Sequence, residues 1–115
     1  MQRKLRLTRS DDFKRVRRNG KSYADPLMVL VAQTNEQTSI HIGVTAGRTV
    51  GNAIDRNRAK RLLREAMRPL LPGLASGWNL ILVARPGLAA ASLEDTRLAL
   101  TSLLRRAGLT STNEP

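Results

Sequence analysis

Apolar and polar positions alternate in three different rhythms along this chain, and each rhythm predicts a different element. Ile40, Ile42 and Val44 take turns with His41, Gly43 and Thr45, a two-residue period that predicts a strand buried on one face. Leu27 to Ala32 is apolar at every position and follows Pro26, which would break a helix, so the chain from Tyr23 is predicted to be extended and its strand covered on both faces. Residues 34–38 are polar and predict a turn, and the two runs on either side of it suggest an antiparallel hairpin. Trp78 to Ala84 predicts a further strand, apolar on both sides.

Helical spacing governs the rest. Phe13 and Val16 fall on one side of a short helix that Ser10 can cap, with Asp11 and Asp12 at its positive end and Asn19-Gly20 closing it. Leu93, Leu100, Leu103, Leu104 and Ala107 line one side of a last helix, capped by Ser92 with Asp95 and ended by Gly108. Between them, residues 51–68 read GNAIDRNRAKRLLREAMR. Asn52 with Asp55 three residues later is a workable cap, and Pro69 stops the helix near Arg68. The predicted order is helix, strands, helix, strand, helix: an α+β fold with a small mixed sheet and helices packed against it.

Wound at about 100° per residue, the middle helix separates its chemistry. Ala59, Leu62, Leu63, Ala66, Met67 and Leu70 fill an apolar arc roughly 140° wide. Arg56, Lys60, Arg64 and Arg68 descend one strip, Asn57 and Arg61 lie beside it, and Arg58 sits at its flank. A solvated surface helix usually mixes signs, since Glu and Lys four apart support each other, but Glu65 is the only acid after Asp55 here. Guanidinium groups dominate, and their planar forks match phosphate oxygens and stack on bases. The face therefore reads as a nucleic-acid contact.

The whole composition agrees. Twenty Lys plus Arg against nine Asp plus Glu give a formal charge of +11 over 115 residues, which attracts polyanions and fills one domain, expected over residues 1–109 with a polar, frayed tail at 110–115. Cysteine is absent, which excludes disulfides, thiolate metal sites and cysteine nucleophiles. The longest apolar run is too short to span a bilayer, and no apolar segment with a cleavage site follows the basic start, so a soluble, cytoplasmic protein with no membrane partner is expected. Catalytic residues are not in evidence. Asp11, Asp12, Asp55, Glu94 and Asp95 all belong to helix first turns, the other acids are scattered, and His41 is the only histidine. No metal-ligand spacing or phosphate loop is present, so no catalytic or metal site is expected on the protein.

The order A-x-x-R-N-x-x-K-R-x-x-R behind a Gly-Asn, carried by Ala53, Arg56, Asn57, Lys60, Arg61 and Arg64, resembles the signature of the bacterial ribonuclease P protein component. Arg6, Leu7, Asp12, Phe13, Val16 and Gly20 are spaced as in that family's first helix, and Ile42 to Val44 and Ile81 to Arg85 resemble two of its strands. Ala59 departs from the signature, where a larger aliphatic residue is more common. The resemblance implies a ribosomal-protein-like two-layer α/β sandwich with a left-handed crossover. It also implies an enzyme in which an RNA subunit, with magnesium, removes the 5′ leader of precursor tRNA while the protein holds RNA and substrate. By resemblance, Arg56, Asn57, Arg58, Lys60, Arg61 and Arg64, with Arg68 from the same strip, dock on the catalytic RNA. A cleft at Phe13, Arg17 and Val31 takes the leader; Arg17 and Val31 stand where aromatics are common. Arg48, before the basic helix, offers a phosphate contact. The alternatives are a structural RNA-binding protein of ribosomal type, a protein-only nuclease and a DNA-binding protein. The missing carboxylate cluster argues against the second and the missing dimerisation seam against the third, so no DNA partner is expected.

Overall fold

The computed structural model describes residues 10–35 and 39–109, with side chains from Phe13 onward. The expected cap around Ser10, the heart of the turn at 36–38 and the tail from Thr110 lie outside the residues so described. In chain order the elements are helix α1 (Ser10–Asn19), strands β1 (Lys21–Ala24), β2 (Met28–Thr34) and β3 (Ile40–Ala46), helix α2 (Ala53–Met67), strand β4 (Trp78–Ala84) and helix α3 (Leu93–Arg106). Short 3-10 turns cover Arg48–Val50, Arg68–Gly73 and Leu88–Ala90.

The strands form one sheet in the order β1-β2-β4-β3. The expected hairpin between the second and third runs is not made: β4 lies between them, antiparallel to β2 and parallel to β3. The patterning supplies the reason. β2 and β4 are apolar on both faces and take the two central places, where both faces are covered. β3 is polar on one face and goes to the edge. The true hairpin is β1 with β2, turned at Asp25-Pro26, where Asp25 N donates to Met28 O at 2.9 Å and Asp25 Oδ2 accepts from Leu27 N at 2.9 Å.

Alternation along the strands builds three layers where two were expected, because β2 and β4 are apolar on both faces and α1 covers the side opposite α2 and α3. Met28, Leu30 and Ala32, Leu80, Leu82 and Ala84, and Ile42 pack with Leu63 and Met67 of α2 and Leu100, Leu103 and Leu104 of α3 in the main core. The opposite face carries α1, through a small cluster of Val16, Val31 and Ile81 edged by Phe13, Val29 and Val83. One expected core residue is displaced outward: Leu93, the first residue of α3, is 37% exposed. The last helix is otherwise as the spacing predicts, with Ser92 Oγ accepting from Asp95 N at 3.0 Å and Gly108 at a φ of 78° just beyond its end, in the left-handed region that glycine enters without penalty.

Candidate nucleic-acid interface

Helix α2 begins with a reciprocal cap. Asn52 Oδ1 accepts from Asp55 N at 2.9 Å, and Asp55 Oδ2 accepts from Asn52 N at 3.3 Å, so two orphan donors at the helix start are satisfied locally. The α-helix ends at Met67, close to where Pro69 was expected to stop it, but not for the expected reason: Arg68 keeps helical angles (φ −50°, ψ −52°), and the chain tightens into the 3-10 turn Arg68–Gly73 with Pro69 in its first turn, where a proline is tolerated. Ala59, Leu63, Ala66 and Met67 are buried and fix which side faces outward.

The remaining positions divide into three strips by helical geometry. Asn57, Arg61 and Arg68 form an exposed crest directly opposite the buried side. Arg56, Lys60 and Arg64 form one flank and are half-buried, with the Nε of Arg64 withdrawn from solvent. Arg58 is on the other flank, where its Nε donates to Ala89 O at 2.6 Å and ties α2 to the 3-10 turn before α3. On that same side Arg97 of α3 reaches Glu65 O at 3.5 Å. Arg68 is paired with Glu65 at 2.9 Å, an exposed contact of small energy that solvent screens and that a phosphate can displace.

Ile54 was not singled out by the sequence, yet it is 77% exposed and sits on the crest, one turn before Asn57 and two before Arg61. The signal was there: an apolar residue falling on the polar side of the helical wheel. Arg48 is exposed in the 3-10 turn that leads into α2.

The residues expected to form a leader cleft gather on the opposite face of the sheet. Phe13 lies across Gly43 of β3, so closely that a Cβ there would be 3.0 Å from ring atoms Cε1 and Cε2. Arg17, one turn further, is exposed beside it. Val31 is only 4% exposed and packs beneath α1 with Val16 and Ile81, so it braces the helix from below and is not an open wall. Lys14, Arg15 and Arg18 are also exposed on α1. Positive charge is therefore carried on both outer layers of the sandwich.

Among the described residues no group of three or more His, Cys, Asp or Glu is placed to hold a metal ion, and no helix is long and apolar enough to cross a membrane. Asp25, Asp55 and Glu65 are each engaged by a backbone amide or an arginine.

The family model for Ribonuclease P matches residues 1–108. The ribonuclease P protein component of Herpetosiphon aurantiacus is 36% identical over 109 residues, covering 95% of this chain and 89% of its own length. That of Brevibacillus brevis is 35% identical over 108 residues, covering 93% and 86%. Among solved structures, the RNase P protein of Staphylococcus aureus superposes with a TM-score of 0.83 at 24% identity, covering 93% of this chain and 98% of that one. The RNase P protein of Thermotoga maritima superposes with a TM-score of 0.78 at 27% identity, covering 88% and 96%.

Proposed function

The chain belongs to the ribonuclease P protein family, whose members are the protein subunit of a ribonucleoprotein endoribonuclease with a catalytic RNA, and on that premise we propose how its surfaces divide the work. The crest and near flank of α2 dock on the catalytic RNA: Arg61 and Arg68 outermost with Asn57, and Arg56, Lys60 and Arg64 alongside. Arg58 contributes from the far flank while anchoring the helix. Arg48 adds a phosphate contact at the entrance to α2. The observation that carries this reading is the capped helix whose buried stripe of Ala59, Leu63, Ala66 and Met67 leaves Arg58, Arg61 and Arg68 exposed and Arg56, Lys60 and Arg64 half-exposed on its other sides.

RNA is held here chiefly through its charge. Contact with about six phosphates would make affinity fall about a thousandfold between roughly 50 and 200 mM salt. Neutralising the ribozyme surface also lets a second polyanion, the precursor tRNA, approach it. The single-stranded leader of that precursor lies along the α1 face, where Phe13 offers a stacking platform and Arg17 a stacking cation next to it. Among the described residues no carboxylates gather into a magnesium site, and the metal of the reaction is assigned to the RNA. No bond-breaking group is supplied by the protein, and it works with its RNA in the cytoplasm, with no DNA or membrane partner.

Family membership separates the chain from a ribosomal protein of similar size and charge. Reconstitution with a bacterial catalytic RNA at low magnesium is the test. Restored removal of the 5′ leader is expected, and failure to restore it while RNA alone remains active at high magnesium would refute the proposal.

A further inference from the structure

Ile54 is the one large apolar side chain on a crest otherwise made of Asn57, Arg61 and Arg68, and it is the most exposed large apolar residue among the described ones. It has no local duty at the helix start. The reciprocal cap that encloses it uses only the side chains and amides of Asn52 and Asp55. An apolar brace across a helix start joins the residue before the cap to the fourth helical one, and these are Gly51 and Arg56 here. A β-branched side chain on the wet side of a helix also gives up rotamer freedom that a lysine or arginine keeps. Single surface apolar residues are common, so it is the place of Ile54, amid the cations that meet RNA, that asks for a partner.

We infer that Ile54 is the apolar contact of the docking face and that an unpaired nucleotide of the catalytic RNA lays its base on it. The inference rests on the reading that the α2 crest docks on that RNA. The kind of partner follows from what RNA can offer an aliphatic side chain. Paired RNA presents phosphates, a groove too deep and narrow for side chains, and a shallow groove displaying 2′-hydroxyls, none of which suits an isoleucine. The faces of unpaired bases are apolar, and folded RNA leaves them open in loops and bulges. Arg58 stands one turn on, its Cβ about 5–6 Å from that of Ile54 by helical geometry. Its Nε is engaged by Ala89 O, which restrains the guanidinium, and a guanidinium plane also stacks on bases. A base on Ile54 thus has a cation beside it and Arg61 further along the crest for the adjoining phosphates. A second copy of this chain is the other candidate occupant, but the formal charge of +11 and the arginines around Ile54 oppose it.

The test is binding of a bacterial catalytic RNA by the full chain, titrated over a range of salt. An apolar contact releases no counterion, so Ile54→Ala is expected to weaken binding about tenfold at every salt concentration and to leave the slope unchanged. Ile54→Leu keeps an aliphatic side chain and is expected to bind within about threefold of wild type. Because Ile54 is exposed, both variants should melt as wild type does. Catalytic RNAs with single abasic sites at unpaired positions then locate the base. At one position, base removal is expected to weaken wild type about tenfold and Ile54→Ala not at all. Wild-type affinity in Ile54→Ala, a loss accompanied by a changed slope, or the absence of any abasic position coupled to Ile54 overturns the inference. So does free protein that sediments as a dimer and becomes monomeric in Ile54→Ala, since the occupant is then a second copy. In each of these cases RNA docking still stands if Arg61→Ala lowers affinity and slope. If Arg61→Ala is silent as well, the docking reading fails and takes the inference with it.

Discussion

The ring of Phe13 rests on Gly43, and that contact joins α1 to the edge strand of the sheet. The alternating pattern of β3 places Gly43 on the α1 face, and the missing side chain there is what lets the ring lie flat against backbone. Gly43→Ala is therefore expected to lift or turn the ring. The cost in stability should be about 1–3 kcal/mol, typical of overpacking. Affinity for leader-bearing precursor should fall further than affinity for mature tRNA. Urea unfolding and parallel binding titrations check both parts.

Arg58 and Arg61 differ by a single helical turn and should behave in opposite ways. Arg58 donates to Ala89 O, so Arg58→Ala is expected to cost about 1 kcal/mol of stability through the lost bond. Arg61 is exposed on the crest, so Arg61→Ala should change stability by no more than about 0.5 kcal/mol and lower the salt slope of RNA binding by about one. Thermal melts and salt-dependent titrations on the two variants distinguish anchor from contact.

Asn52→Ala removes one half of the reciprocal cap and should destabilise by about 1 kcal/mol. Because the basic side chains remain, RNA affinity measured well below the melting temperature should change little. Circular dichroism in urea, followed by RNA binding at low temperature, checks this.

Leu63 is fully buried between α2 and the sheet. Leu63→Ala should cost about 2–5 kcal/mol by leaving a cavity. Saturating catalytic RNA should raise the melting temperature of the variant to the extent that it binds the folded form more tightly than the unfolded one.

The elements of α2 were legible in the sequence because their signals are local: Asn52 and Asp55 mark its start, Pro69 its end, and the four-residue spacing of Arg56, Lys60 and Arg64 its outer flank. The strand order was not. Whether β2 pairs with β3 or with β4 depends on contacts some fifty residues apart in sequence, and only the two-sided apolar character of Trp78 to Ala84 hinted that it belongs in the centre. Two contacts, one of Asn79 with Asn35 and one of Arg58 with Ala89, were hidden for the same reason. Asn79 is hidden inside an apolar run until the register sets it between Gln33 and His41, and Arg58 cannot be told from its neighbours until Ala89 is beside it. Val31, read as a cleft wall, turned out to brace α1 because the crossing helix covers it.

The measurement that bears most directly on α2 as the RNA-docking surface is binding of the catalytic RNA as a function of salt, comparing wild type with the triple variant Arg56→Gln, Lys60→Gln, Arg64→Gln. The expected result is weaker binding at every salt concentration and a salt slope lower by about three, with the protein still folded. A folded triple variant with wild-type affinity and slope would contradict the account.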